Sequence, residues 1–92
     1  ERPTTPRGLK ATRINAGVNL TWTASTDNVG VVRYQIYRSA DGTLGPLFAT
    51  TTNTSFVNES VALGETYTYA IRAEDAAGNV SWRSNLASIT VD

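Results

Sequence analysis

Residues 61–81, VALGETYTYAIRAEDAAGNVS, contain a two-residue alternation that leaves few folds open to the chain. Tyr67, Tyr69, Ile71 and Ala73 fall on one parity, and Thr66, Thr68, Ala70, Arg72 and Glu74 on the other. Successive side chains of an extended backbone point to opposite faces, so this spacing predicts a β-strand with one buried face. Gly64 stands just before it, and it stops at Asp75-Ala76-Ala77-Gly78-Asn79. There Asp and Asn can bond nearby backbone and Gly can take a positive φ. The prediction is a half-buried strand with a turn at each end, and the rest of the chain must supply what covers its apolar face.

The other segments repeat the pattern at shorter length. Leu9 and Ala11 alternate with Lys10 and Thr12, and Asn15-Ala16-Gly17 turns the chain. Val18, Leu20, Trp22 and Ala24 alternate with Asn19, Thr21 and Thr23, giving a second strand that carries the largest core side chain, Trp22. After a polar loop at 25–30, residues 31–38 place Val32, Tyr34 and Ile36 on one face and Arg33, Gln35 and Tyr37 on the other. A Gly-rich turn at 40–46 leads to an edge strand at 47–52 carrying Phe48, and Ser55-Phe56-Val57 makes one more short strand. Residues 84–91 close the fold with Ile89 and Val91 on one parity and Leu86 on the other, which implies a bulge. These seven segments, with turn signals between them and no helical period, predict an all-β fold: a seven-stranded antiparallel β-sandwich of the immunoglobulin-like kind. Pro3-Thr4-Thr5-Pro6 is stiffened by proline and reads as the end of a linker over residues 1–6, with the domain proper at 7–92.

Trp22 in the second strand, Tyr34 in YQIYR, Val61 six residues before Tyr67 and the run AEDAAGNVS form a combination covering nearly the whole chain. It resembles the fibronectin type III family, particularly the accessory modules of secreted bacterial enzymes that degrade polysaccharides. The resemblance implies that the Tyr67 hydroxyl bonds back to backbone a few residues upstream as a tyrosine corner, with Val61 as its apolar partner. The family often has Leu at that partner position and Pro or Ala two residues later, so Val61 and Leu63 imply a slightly looser corner. The resemblance also implies strands one, two and five in one sheet and the other four in the second, with Trp22 facing Tyr34.

Ninety-two residues make one domain, which buries roughly 60 to 65% of its extended-chain surface. With no Cys, neither a disulfide nor a thiolate metal site can brace the core, so apolar packing between the layers must hold it. Eight basic and eight acidic residues, scattered along the chain, lack the electrostatic footprint of a nucleic-acid binder. No run approaches the ~18 apolar residues of a membrane span, and ERPTTPRG lacks the apolar core of a signal peptide. The absence of Met, with Glu1 leading, reads as a module of a longer protein.

For catalysis there is no His, no Cys and no Gly-rich phosphate loop before a helix. Glu74 and Asp75 are adjacent on a strand and aim to opposite faces, so they do not form a catalytic pair. No catalytic, cofactor-binding or metal residue is therefore expected. The one candidate cation site joins Asp27 and Asn28 to Asp75 and Asn79, oxygen donors that could hold Ca²⁺. The preferred alternative is that each ties down its own turn. Four N-x-S/T sequons, at Asn19, Asn53, Asn58 and Asn79, follow from a composition rich in Asn, Ser and Thr, and no function is attached to them.

Tyr37 and Trp82 are the aromatics expected at the surface. Tyr37 suits cross-strand packing on a solvated sheet face, and Trp82 either covers the sandwich end or contacts a neighbouring domain or ligand. Set near opposite ends of their strands, they would stand on the order of 15 Å apart, too far for one platform. The resemblance implies a monomeric, non-catalytic accessory or spacer module of an extracellular, multidomain bacterial glycoside hydrolase or related enzyme. Its partners would be neighbouring domains of the same polypeptide. The alternative is a carbohydrate- or protein-binding module that uses Trp82 and the adjacent loops.

Overall fold

The alternation at 66–74 becomes the longest strand of the molecule and the spine of its larger sheet. The computed structural model of the protein describes residues 3–15, 17–27, 30–39 and 47–91. The strands are β1 (Arg7–Ile14), β2 (Gly17–Thr23), β3 (Val31–Ser39), β4 (Leu47–Thr51), β5 (Ser55–Asn58), β6 (Thr66–Asp75) and β7 (Ala87–Thr90). One sheet has the order β1-β2-β5 and the other β4-β3-β6-β7, with every ladder antiparallel. This is the division that the resemblance implied. The Gly-rich turn at 40–46 lies outside the described residues.

Leu9, Val18, Leu20 and Trp22 from the first sheet meet Tyr34, Ile36, Tyr67, Tyr69, Ile71 and Ala73 from the second, and Val91 closes the cluster. Trp22 and Tyr34 face each other edge to face, with ring centroids 5.5 Å apart. That geometry aligns the positive edge of one ring with the negative face of the other. β6 is buried on more than its apolar face, because Thr68 and Ala70 are covered as well. Thr68 lies between Ser39 and Ser88 on the flanking strands and shares a 2.9 Å hydroxyl contact with Ser88.

Three departures from simple alternation have local causes. Val32, expected on the inner face, is exposed, and Val31 packs on the core instead. Between Val31↔Asp75 and Arg33↔Glu74, two steps on β3 match one on β6, so Val32 is the extra residue of a bulge and turns outward. Ala24 is exposed because β2 ends at Thr23, and the chain there tucks Ser25 inward, its N–H bonded to the Tyr34 hydroxyl at 3.0 Å. The closing segment, expected as one strand from Ser84, is regular only at Ala87–Thr90.

Before β7, serine side chains supplement the ladder. Ala73 accepts from the Ser81 N–H and donates its own N–H to Ser81 Oγ, and Ile71 does the same with Ser84. Ala73, Ile71 and Tyr69 thus face Ser81, Ser84 and Ala87, three residues against two at each step. The bulge implied by the parity change is therefore a double one that starts earlier, and it bends an otherwise straight edge.

Residues 3–6, expected as the end of a linker, lie against the body. Thr4 N–H bonds the Thr26 carbonyl at 2.8 Å, Thr26 N–H bonds Thr4 Oγ1 at 2.8 Å, and Pro6 is fully buried. β1 starts at the end that holds Thr26 and the 75–79 turn, here the upper end, and β7 finishes at the other, the lower end. The body measures 41 × 23 × 18 Å.

Candidate functional site

At the upper end, the sequence-predicted oxygen donors are bonded into their own turns. Asp75 Oδ1 accepts the N–H groups of Ala77 (3.0 Å) and Asn79 (2.8 Å), and Oδ2 accepts Asn79 Nδ2 (3.0 Å). Burial pushes this carboxyl up, but the Asn79 amide and the two backbone donors outweigh it and hold Asp75 below the usual carboxylate range. Asp27 Oδ2 accepts from Gly30 N–H at 3.2 Å, and Asn28 lies outside the described residues. Among the described residues no three acidic, His or Cys side chains cluster as metal ligands would.

The outer face of the larger sheet carries a row of linked polar groups. Arg33 pairs with Glu74 at 2.9 Å, Gln35 Nε2 donates to Glu74 at 3.2 Å, and the Tyr37 hydroxyl donates to Gln35 Oε1. The Arg72 guanidinium lies 5.4 Å from the Tyr37 ring centroid. Tyr37 is therefore half-buried under a cation rather than an open ring. Trp82 is 64% exposed. The expected separation of these two aromatics along the strands is too long. Tyr37 pairs with Ala70, and Trp82 sits between the residues bonded to Ala73 and Ile71, about two residues or ~7 Å along the strand direction. They still form no shared platform, because Arg72 lies over the Tyr37 ring.

The lower end is closed by side chains reaching across the chain. The Tyr67 hydroxyl accepts the Ala62 N–H at 2.9 Å, five residues upstream, and Val61 packs half-buried on the core. Asn58, which is buried, donates to the Tyr69 hydroxyl at 2.8 Å. Burial pushes the Tyr69 phenol up, against the lowering effects of that bond and of Arg38. Arg38 stacks over Phe48 (4.2 Å) and Tyr67 (5.1 Å) and donates to the Ser60 carbonyl at 2.6 Å. Sequence reasoning missed Asn58 and Arg38, whose only signal was a polar residue on the inward parity at a strand's end.

No family model matches the chain. The structure is nonetheless similar to that of an Fn3-like protein from Clostridium thermocellum, with a TM-score of 0.82 and 30% identity over 100% of this chain and 96% of that one. The chain belongs to the fibronectin type III family. This fibronectin type III domain is also 46% identical over 76 residues to Chitinase D of Niallia circulans and 46% identical over 80 residues to Exoglucanase A of Cellulomonas fimi. Those matches cover 83% and 86% of the domain but only 14% and 9% of the two relatives. The domain thus matches only a small part of each of these larger polypeptides. Among the described residues no helix is long and apolar enough to cross a membrane.

Proposed function

We propose that this fibronectin type III domain is a non-catalytic spacer in an extracellular bacterial enzyme that degrades polysaccharide. The observation that carries the reading is its match to small parts of a chitinase and an exoglucanase, enzymes with different substrates and one shared module. A module common to both suits a role in position rather than in substrate chemistry. The fold supports this, because the chain comes in at the upper end and leaves at the lower end of a body 41 Å long. Asp27 and Asp75 are bonded into turns and Arg33 is paired with Glu74, which suits an inert surface. The test replaces the domain in its parent enzyme with a flexible linker of equal span. Turnover of a soluble substrate should stay the same while turnover of the insoluble polymer falls. Equal loss on both substrates, or a parent protein with no polysaccharide-active domain, would overturn the reading.

The exposure of Trp82 favours a second reading, contact with a glycan. One ring offers only ~1 kcal/mol of stacking against the several kcal/mol that association costs. We therefore expect no retention of the domain, or of a Trp82→Ala variant, on insoluble chitin, cellulose or xylan. Retention lost in the variant would replace the spacer with a binding module.

A further inference from the structure

The start of β1 is tied to the last segment of the chain as well as to its own sheet. Between Arg7↔Thr23 and Lys10↔Thr21, three steps on β1 match two on β2, so the ladder is interrupted at Gly8 and Leu9. Gly8 takes φ 66°, the left-handed conformation that a bulge of this kind uses. The Leu9 backbone is met instead by a side chain. Leu9 N–H donates to Asn85 Oδ1 at 3.0 Å, and Asn85 Nδ2 donates to the Leu9 carbonyl at 3.1 Å. The amide thus offers an acceptor and a donor, as a neighbouring strand would, across 76 residues of sequence.

Asn85 is presented by the double bulge that precedes β7. Ser84 is bonded to Ile71 through both its N–H and its Oγ, and Ser84 Oγ also donates to the Asn85 carbonyl at 2.9 Å. The backbone at 84–85 is therefore fixed to β6, while the Asn85 side chain reaches over to the other sheet. Above Leu9, Thr4 exchanges two 2.8 Å bonds with Thr26, beyond the end of β2.

We propose that residues 3–9 form an arm that opens from the folded domain as one unit, and that Asn85 is the clasp that keeps it shut. The hinge is the break in the ladder, below which Lys10 to Ile14 stay paired with β2. Opening breaks the Asn85 and Thr26 bonds together and leaves the ladder of β3 with β6 intact. Pro6 and Leu9 leave their buried positions as it opens, so the closed state is the dominant one. The use of the arm rests on the spacer reading: the freed residues span roughly 23 Å at ~3.3 Å each, a reserve of length at the end where the chain enters.

Hydrogen exchange of the 92-residue chain at several denaturant concentrations tests it. The Thr4, Leu9 and Thr26 N–H groups should share one opening free energy with a small denaturant dependence, below that of the Ile71 and Ala73 N–H groups in β6. Asn85→Ala, at an exposed position, should speed exchange at Thr4 and Thr26 by about tenfold although their own partners are untouched. Tyr67→Phe should speed Ile71 and Ala73 but not the arm, because the bond from Ala62 to Tyr67 survives the opening. Thr4 and Thr26 rates unchanged in Asn85→Ala would overturn the clasp. Arm amides that accelerate along with Ile71 in Tyr67→Phe would overturn the separate opening. Neither result depends on the parent protein, so a failed arm leaves the spacer reading as it stands.

Discussion

The upper and lower ends of the sandwich close over one core with different chemistry. At the upper end, most closures are short-range: Asp75 gathers the N–H groups of residues two and four positions away, and Asp27 that of a residue three away. At the lower end they are made by large side chains that reach progressively further, Tyr67 to Ala62 over five residues, Asn58 to Tyr69 over eleven and Arg38 to Ser60 over twenty-two. Turn bonds need only the local backbone to form. The Asn58–Tyr69 bond joins a strand of one sheet to a strand of the other, so it forms only once both have assembled, and substitutions at this end should report on packing between them.

The largest effect we expect is at neither cap but in the core beneath the upper one. Trp22→Ala removes a buried ring that meets Tyr34 edge to face, and should cost roughly 3 to 5 kcal/mol. Denaturant unfolding measures it, and a loss below about 1 kcal/mol would show that the upper half is not packed around this ring.

At the lower end, Gly17→Ala should come next. Gly17 has φ 151°, and a Cβ there would overlap the Asn58 carbonyl, which is backbone and cannot swing aside. Overpacking of that kind costs about 1 to 3 kcal/mol, with backbone strain in addition. The same titration checks it, and a neutral result would mean that β2 and β5 can part at this point without harm. Tyr67→Phe keeps the ring but strips the acceptor from Ala62 N–H, for an expected loss of about 1 to 3 kcal/mol. A change within about 0.5 kcal/mol would place the hydroxyl among ordinary surface groups.

The same contrast explains what the sequence could reveal. Alternation marked β1, β2, β3 and β6, because one buried face imposes period two wherever it occurs, and Asp75-Ala76-Ala77-Gly78-Asn79 announced its own turn. What escaped depends on partners distant in sequence. Val32 reads as a core residue until the ladder with β6 shows it to be the extra residue of a bulge. Residues 3–6 read as linker until Thr26 is seen to bond Thr4. The spacing of Tyr37 and Trp82 was misjudged because two extra residues before β7 shift everything upstream of them. Arg38 and Asn58 fall on the inward parity of their strands, but that signal is weak, since a polar side chain at a strand's end is equally at home in water.

The smallest and most selective effects come from pH, which should loosen the two ends at opposite extremes. Asp75 is held below the usual carboxylate range, so the unfolded chain takes up its proton first as acid is added. Its contribution is complete above the unfolded value of about 3.8 and is lost as pH falls through the lower folded value. Tyr69 is shifted the other way by burial, so its contribution is complete below about 10.0 and is lost as pH rises through the raised folded value. Stability measured from pH 2 to 5 should therefore flatten in Asp75→Asn and keep its slope in Tyr69→Phe. Above pH 9.5 the two variants should exchange roles. Asp75→Asn keeps an amide oxygen to accept the Ala77 and Asn79 N–H groups, so it removes the titration while sparing part of the turn. An acid slope unchanged in that variant would mean that the upper turn is held by its backbone alone, and the difference in chemistry between the two ends would then not extend to their charge.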